Sequence, residues 1–77
     1  MPATIQVIQW DKAVYRKRDY LQIRVGYTNA TIDGMNPCQQ TYARLDDARF
    51  YLLSIENVII GFYDSISQAK SAFLERV

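Results

Sequence analysis

The chain has 77 residues, of which 49% are hydrophobic and 13% aromatic, and its formal net charge at pH 7 is +1. This much apolar material excludes a disordered tail, and a charge so near zero creates no field that attracts nucleic acid or an anionic membrane. We expect one small globular domain, residues 1–77, with some apolar surface left over for docking or self-association.

The sequence lacks the signals of export and of membrane insertion. It does not begin with a basic region followed by a long apolar run, and no stretch approaches the ~20 apolar residues that span a bilayer. Its single cysteine, Cys38, excludes an internal disulfide and fits a reducing compartment. We therefore expect a cytoplasmic protein that does not interact with membranes.

Two strands are predicted in the first part of the chain. Residues 4–10 carry apolar side chains on both faces, and residues 11–19 form a charged connection with residues 16–19 at the tip of a hairpin. The second strand alternates as expected for a sheet with one wet face, and its apolar positions are Leu21, Ile23, Val25 and Tyr27. Sliding this strand by one residue would bury Arg24, so its register should be well determined.

The middle of the chain predicts a loop and a third strand. Asp-Gly at 33–34 and Asn-Pro at 36–37 are chain-reversal pairs, which indicate a loop over residues 29–37. Residues 40–45 alternate again and form the third predicted strand.

Residues 46–57 allow two interpretations. As a helix, the segment would begin at a capping aspartate and line one face with apolar residues at helical spacing. As a strand, residues 49–55 would pair with residues 58–63 through a tight turn at Glu56 and Asn57, where asparagine tolerates a positive φ. We favour the hairpin, because aromatic and β-branched residues are typical of strands.

The C-terminal segment predicts a buried strand, a capped turn and an amphipathic helix. Residues 58–63 carry apolar side chains at odd and even positions, which predicts a strand buried on both faces. Gly61 among them indicates close approach of a neighbouring group. Ser65 and Gln68 have the spacing of a capping box. The helix that follows places four residues on one apolar face: Ile66, Ala69, Phe73 and Val77.

Together these elements predict an α+β fold, a mostly antiparallel sheet of three to four strands with the C-terminal amphipathic helix packed on one face.

Groups for catalysis are scarce in this sequence. The chain has no histidine, the commonest general base and zinc ligand, and Cys38 therefore has no histidine to activate it. Asp46 and Asp47 fit structural roles, and the three glycines are too isolated for a phosphate loop. We expect neither an enzyme nor a cofactor or metal.

The remaining chemistry is that of a binding surface. Residues 12–24 combine cations with aromatic rings, which suits a nucleic-acid-binding module. Six tyrosines, one tryptophan and six arginines also supply the residue types that anchor protein interfaces. We expect first a small non-enzymatic regulator or adaptor that docks onto another protein, a homodimer being one form of such docking, with nucleic-acid binding as the alternative. The candidate binding residues are Trp10, Lys12, Tyr15, Arg16, Lys17, Arg18, Tyr20, Arg24, Tyr42 and Arg44.

Overall fold

The computed structural model describes residues 9–15, 18–36 and 41–76. The strands are β1 (Asp11–Tyr15), β2 (Arg18–Val25), β3 (Thr28–Asn36), β4 (Thr41–Tyr42), β5 (Phe50–Ile55) and β6 (Val58–Tyr63), and the helix is α1 (Ile66–Leu74). The main sheet has the order β1-β2-β3-β5-β6 with every pair antiparallel, and the short β4 pairs with β3. The predicted α+β fold is confirmed, with five main strands in place of three to four.

Two hairpins close through two-residue turns that use the left-handed backbone region. Glu56 and Asn57 join β5 to β6 with φ angles of 52° and 64°, a geometry that matches the twist of the paired strands. The hairpin interpretation of residues 46–57 is therefore confirmed and the helical one is wrong. Gly26, with a φ of 63°, begins the corresponding turn from β2 to β3.

The prediction is wrong where β2 ends and β3 begins. The alternation of apolar and polar residues after Leu21 predicts a strand that continues through Tyr27. In the structure β2 ends at Val25, and Tyr27 is 91% exposed in the turn. Most of the loop predicted over residues 29–37 is instead β3, the central strand, which pairs with β2 on one side and β5 on the other. Pairing on both sides outweighs the turn preference of Asp33 and Gly34, because strand propensity depends on context.

Three other predicted elements have different boundaries. The charged connection over residues 11–19 contains β1 and the start of β2, which pair with each other, so the connection is itself a hairpin. The strand predicted over residues 40–45 is shorter in the structure: of the described residues 41–45, only β4 is a strand. Residues 4–8 of the first predicted strand lie outside the described residues, and Trp10 directly precedes β1.

Helix α1 begins where the sequence predicts. The hydroxyl of Ser65, the N-cap, accepts a hydrogen bond from the backbone N–H of Gln68 at 3.1 Å, and the side-chain oxygen of Gln68 accepts one from the N–H of Asp64 at 3.0 Å. The serine satisfies an N–H group that the first turn leaves without an intrahelical partner, so the predicted serine cap is confirmed. The glutamine reaches back as predicted, but to Asp64, one residue before the cap. The helix ends at Leu74, and Val77, predicted on its apolar face, lies outside the described residues.

The core lies between α1 and one face of the sheet. The helix packs across β3, β5 and β6, and its Ala69 and Phe73 are fully buried together with Ile32 of β3 and Leu53 of β5. The indole ring of Trp10 meets the ring of Phe73 edge-on, with 5.3 Å between the ring centroids. The amphipathic pattern of the helix thus serves core packing, as burial of an apolar stripe generally does.

A β-bulge interrupts the pairing of β6 with β5. Between Leu53 and Ser54 the register moves two residues along β6 for one along β5, which makes Ile60 the extra residue. As a result, Ile59 and Phe62 point to the same side of the sheet although they are three positions apart, while Ile60 packs against the core. The bulge therefore brings two large apolar side chains to the face away from the helix.

The closest approach to a glycine occurs at Gly34 rather than at Gly61, where the sequence predicts it. A β-carbon on Gly34 would lie 2.8 Å from the β-carbon of Ala48 and 2.9 Å from the carbonyl oxygen of Ala43. A β-carbon on Gly61 would come no nearer than 3.4 Å to the hydroxyl of Tyr63. Only a residue without a side chain at position 34 lets the segment after β4 lie this close to β3.

Candidate docking surface

The two sides of the sheet differ in what covers them. Residues that pair directly across antiparallel strands point to the same side, so Ile32 and its partners Leu21 and Leu53 lie under the helix. Side chains of the opposite parity, such as Tyr20 and Asp33, point to the other side. We call that side the open face. Its side chains also include Tyr15, Arg18, Arg24, Tyr42, Phe50, Leu52, Ile59 and Phe62.

A depression of about 420 Å³ lies on the open face over the middle of the sheet. Each of the six strands contributes at least one side chain to its lining, among them Tyr15, Arg18, Tyr20, Asp33, Tyr42 and Ile59. Because these side chains come from distant parts of the sequence, the depression exists only in the folded sheet.

Asp33 is the buried charged residue of the described part of the chain, with 7% of its surface exposed. It lies in the central strand between Tyr20 of β2 and Leu52 of β5. Its Oδ1 is 3.4 Å from Nε of Arg18, and neither atom has a hydrogen-bond partner among the described residues. Burial raises the pKa of the Asp33 carboxyl above its ordinary value of 3.8, and the charge of Arg18 lowers it by a smaller amount.

Arg18 is held between this carboxylate and an aromatic ring. The central carbon of its guanidinium lies 3.8 Å from the centroid of the Tyr42 ring, which is a cation–π contact. The charges of Arg18 and Asp33 cancel, so the depression offers no net positive charge to a phosphate.

Apolar side chains surround the depression and remain in contact with solvent. Ile59 and Phe62 of β6 are 62% and 55% exposed, and about half of Tyr15 and Tyr42 is exposed at the other end. The ring of Phe62 meets that of Phe50 edge-on, with 5.1 Å between the centroids. Helix α1 packs on the opposite side and covers none of them. Large apolar groups grouped on one exposed face are typical of interaction sites.

Five of the ten predicted binding residues lie on the open face. Tyr15, Arg18, Tyr20 and Tyr42 line the depression. Arg24 shares their side of the sheet, and its Nε donates to the carbonyl oxygen of Gly26 at 3.2 Å. The structure thus brings the predicted tyrosines of β1, β2 and β4 together around one arginine.

The other predicted residues are not brought to the depression. Trp10 packs against the core beneath α1. Lys12 pairs with Leu21 and therefore points to the helix-covered side of the sheet. Nε of Arg44 donates to Oδ2 of Asp19 at 3.2 Å, away from the depression. The predicted basic cluster is therefore divided between the two sides of the sheet, since strand residues alternate. Outside the described residues lie Arg16, Lys17 and Cys38.

The open-face residues that sequence reasoning missed include Asp33, Ile59 and Phe62. Asp33 is hidden in an Asp-Gly pair that predicts a turn, and the signal that places it in a strand is the alternation of Ala30 and Ile32 on either side of Thr31. Ile59 and Phe62 lie in an apolar run that predicts burial on both faces. The bulge that exposes both of them leaves no mark in a single sequence.

Neither a metal site nor a membrane span stands out in the part of the chain that the structure describes. Among residues 9–15, 18–36 and 41–76, histidine, cysteine and acidic side chains form no group of three that could hold a metal ion. No helix in these ranges is both long enough and apolar enough to cross a bilayer.

Comparison with known proteins adds no relative. No protein-family model, curated protein or solved structure matches this chain.

Proposed function

We propose that this protein is a small non-enzymatic regulator or adaptor that docks onto another protein through the open face of its sheet. The observation that carries the proposal is the exposure of Tyr15, Tyr42, Ile59 and Phe62 on one side of a sheet whose helix lies on the other. Burying these side chains against a partner would remove apolar area from water, at about 25 cal/mol per Å².

The composition of the open face supports docking to a protein. Tyrosine and arginine are enriched at the centres of protein interfaces, and the face combines three tyrosines with Arg18 and Arg24. The rings keep a polar end that can remain hydrated, so such a face stays soluble before the partner arrives.

The charge arrangement weighs against the alternative of nucleic-acid binding. Arg18 and Arg44 each face an aspartate, at 3.4 Å and 3.2 Å. Binding to nucleic acid is dominated by cations that neutralise phosphates, and these two guanidinium groups already have carboxylate neighbours. Nucleic-acid binding is accordingly an outcome that the experiment below can reveal rather than the function we propose.

Affinity capture from the source cell extract tests the proposal, with a matched pair of variants. Ile59→Lys places a charge on the open face, whereas Val14→Lys places one at a similarly exposed valine on the opposite side of β1. A docked protein should be captured by the wild-type chain and by Val14→Lys but lost with Ile59→Lys. Equal capture by both variants would overturn docking through the open face.

Repeating the capture after nuclease treatment distinguishes a protein partner from nucleic acid. Capture that survives nuclease treatment supports docking to a protein, and capture that disappears supports nucleic-acid binding instead. Light scattering over a concentration series tests whether the partner is a second copy of the chain. In that case the molar mass should rise with concentration for the wild type and for Val14→Lys, and remain monomeric for Ile59→Lys.

A further inference from the structure

The depression contains a buried carboxylate whose surroundings do not fully satisfy it. The side chain of Asp33 is 10% exposed, and its Oδ1 receives no hydrogen bond from any described residue. A buried carboxylate with an oxygen that accepts no hydrogen bond is costly. An unsatisfied group of this kind in a lined depression suggests a binding role, since a neutral side chain would have served packing better.

Arg18 shows which chemistry the depression accepts. Its guanidinium contacts the Tyr42 ring at 3.8 Å and its Nε approaches Asp33 Oδ1 at 3.4 Å, without the alignment of a hydrogen bond. The ion pair therefore lacks a hydrogen bond, and an incoming cation that makes the same two contacts can replace the arginine without leaving the carboxylate unpaired. Its side chain is 30% exposed, which leaves it a route to solvent.

We propose that the depression binds a guanidinium or ammonium side chain of the partner protein, with Asp33 as its counter-ion and Tyr42 as its aromatic platform, and that Arg18 fills this position until the partner arrives. A carboxylate beside an aromatic face suits a cation by charge and by cation–π attraction. The exchange of one cation for another leaves the depression electrically neutral. This inference rests on the proposed function and names the chemistry of the partner's anchor.

The direct test is a titration of the isotope-labelled protein followed by its amide NMR signals. The probe is N-acetyl-arginine amide, and the matched control is N-acetyl-citrulline amide, which has nearly the same shape without the charge. The arginine probe should shift the amide signals of Thr31, Asp33 and Leu52, and the citrulline probe should not. Equal shifts with both probes would overturn the proposal.

Variants assign the roles of the individual residues. Asp33→Asn should weaken binding of the arginine probe by about tenfold or more, because it removes the charged partner of a desolvated pair. Tyr42→Leu should weaken it by about fivefold, within the range of a cation–π contact. Tyr27→Leu, which alters a tyrosine that is 91% exposed in the β2–β3 turn, should leave it unchanged.

Arg18→Ala tests whether Arg18 occupies the position of the incoming cation or instead helps to bind it. If Arg18 occupies the position of the incoming cation, its removal should tighten probe binding several-fold. Weaker binding by Arg18→Ala would overturn the exchange. Amide spectra of each variant establish that it is folded, and Tyr42→Leu keeps the test decisive if Asp33→Asn fails to fold.

The two proposals fail in different ways. If the arginine probe does not bind but Ile59→Lys still abolishes capture of a protein, docking stands and the cation pocket is wrong. If the probe binds at Asp33 while Ile59→Lys leaves capture intact, docking through the open face is wrong, and the pocket does not serve it.

Discussion

The helix-covered side and the open face are built from the same strands but carry different side chains. Under α1 the sheet presents aliphatic residues such as Leu21, Ile32 and Leu53, which are almost completely removed from water. On the open face it presents tyrosines, phenylalanines and a buried carboxylate, and much of this surface stays wet. A single alternating pattern thus builds the buried core on one side and leaves the other side largely in contact with solvent.

The largest expected effect is on the covered side. Phe73→Ala should lower the free energy of unfolding by about 3–5 kcal/mol, because it leaves a cavity where a fully buried ring contacts Trp10. Denaturant unfolding followed by fluorescence measures the loss. The neighbouring Leu74→Ala is the control, since this half-exposed side chain should change stability by no more than about 0.5 kcal/mol. Similar losses for both variants would contradict the assigned core.

A methyl group added to Gly34 should have the next largest effect. Gly34→Ala forces a β-carbon to within 2.8 Å of Ala48, and overpacking of this kind costs about 1–3 kcal/mol. Gly61→Ala, where the nearest atom is the hydroxyl of Tyr63 at 3.4 Å, should cost less. The two variants are compared by thermal unfolding, and a greater loss for Gly61→Ala would show that the crowded glycine is misassigned.

On the open face, one substitution should raise the free energy of unfolding instead of lowering it. Asp33→Asn should raise the free energy of unfolding at neutral pH, by the order of 1 kcal/mol that single substitutions commonly produce. The reason is that the amide avoids the cost of keeping a charge buried. The partly exposed Arg18 can turn to solvent when its counter-ion is removed.

The same variant gives a pH dependence. Because folding raises the pKa of Asp33 above its ordinary value of 3.8, the carboxyl's contribution to stability is fully present below that value and is lost as the pH rises through the folded pKa. The advantage of Asp33→Asn over the wild type should therefore be largest at neutral pH and shrink as the pH falls. An advantage that grows on acidification would mean that the folded pKa is lowered instead.

The smallest effect should come from the apolar rim of the open face. Ile59→Lys, at a residue 62% exposed, should change the free energy of unfolding by no more than about 0.5 kcal/mol, although it should abolish docking. Unfolding curves of the free protein check the first expectation. A loss of several kcal/mol would show that Ile59 belongs to the core rather than to a surface.

Local chemistry accounts for the parts of the fold that the sequence predicts. The β5–β6 hairpin follows from the Glu56-Asn57 turn, and the start of α1 follows from the side chains of Ser65 and Gln68. Each of these signals acts over four residues or fewer, so a single sequence contains all of it.

Strand β3 could not be predicted in this way. Its Asp33-Gly34 pair has the chemistry of a turn, and only pairing with β2 and β5 together keeps it extended. The space around Gly34 is limited by Ala43 and Ala48, which are distant in sequence. Long-range contacts therefore override the local preference.

The candidate site was half predictable for a related reason. Residues 12–24 form one cluster in the sequence, but strand geometry sends Lys12 to one side of the sheet and Tyr15 and Arg18 to the other. The counter-ion Asp33 and the platform Tyr42 come from later strands. Residue types could be predicted from composition, but which of them meet depends on a register that only the folded sheet defines.

The displaced residue Ile60 also affects how readily the border of the sheet could pair with another chain. The strand that contains it has six residues without a charge or a proline, and among the described residues it ends the sheet on that side. A straight, uncharged border strand is the kind of segment that stacks into fibrils. Because a β-bulge bends the strand that carries it, we expect the extra residue to make that border a poorer template for a growing fibre.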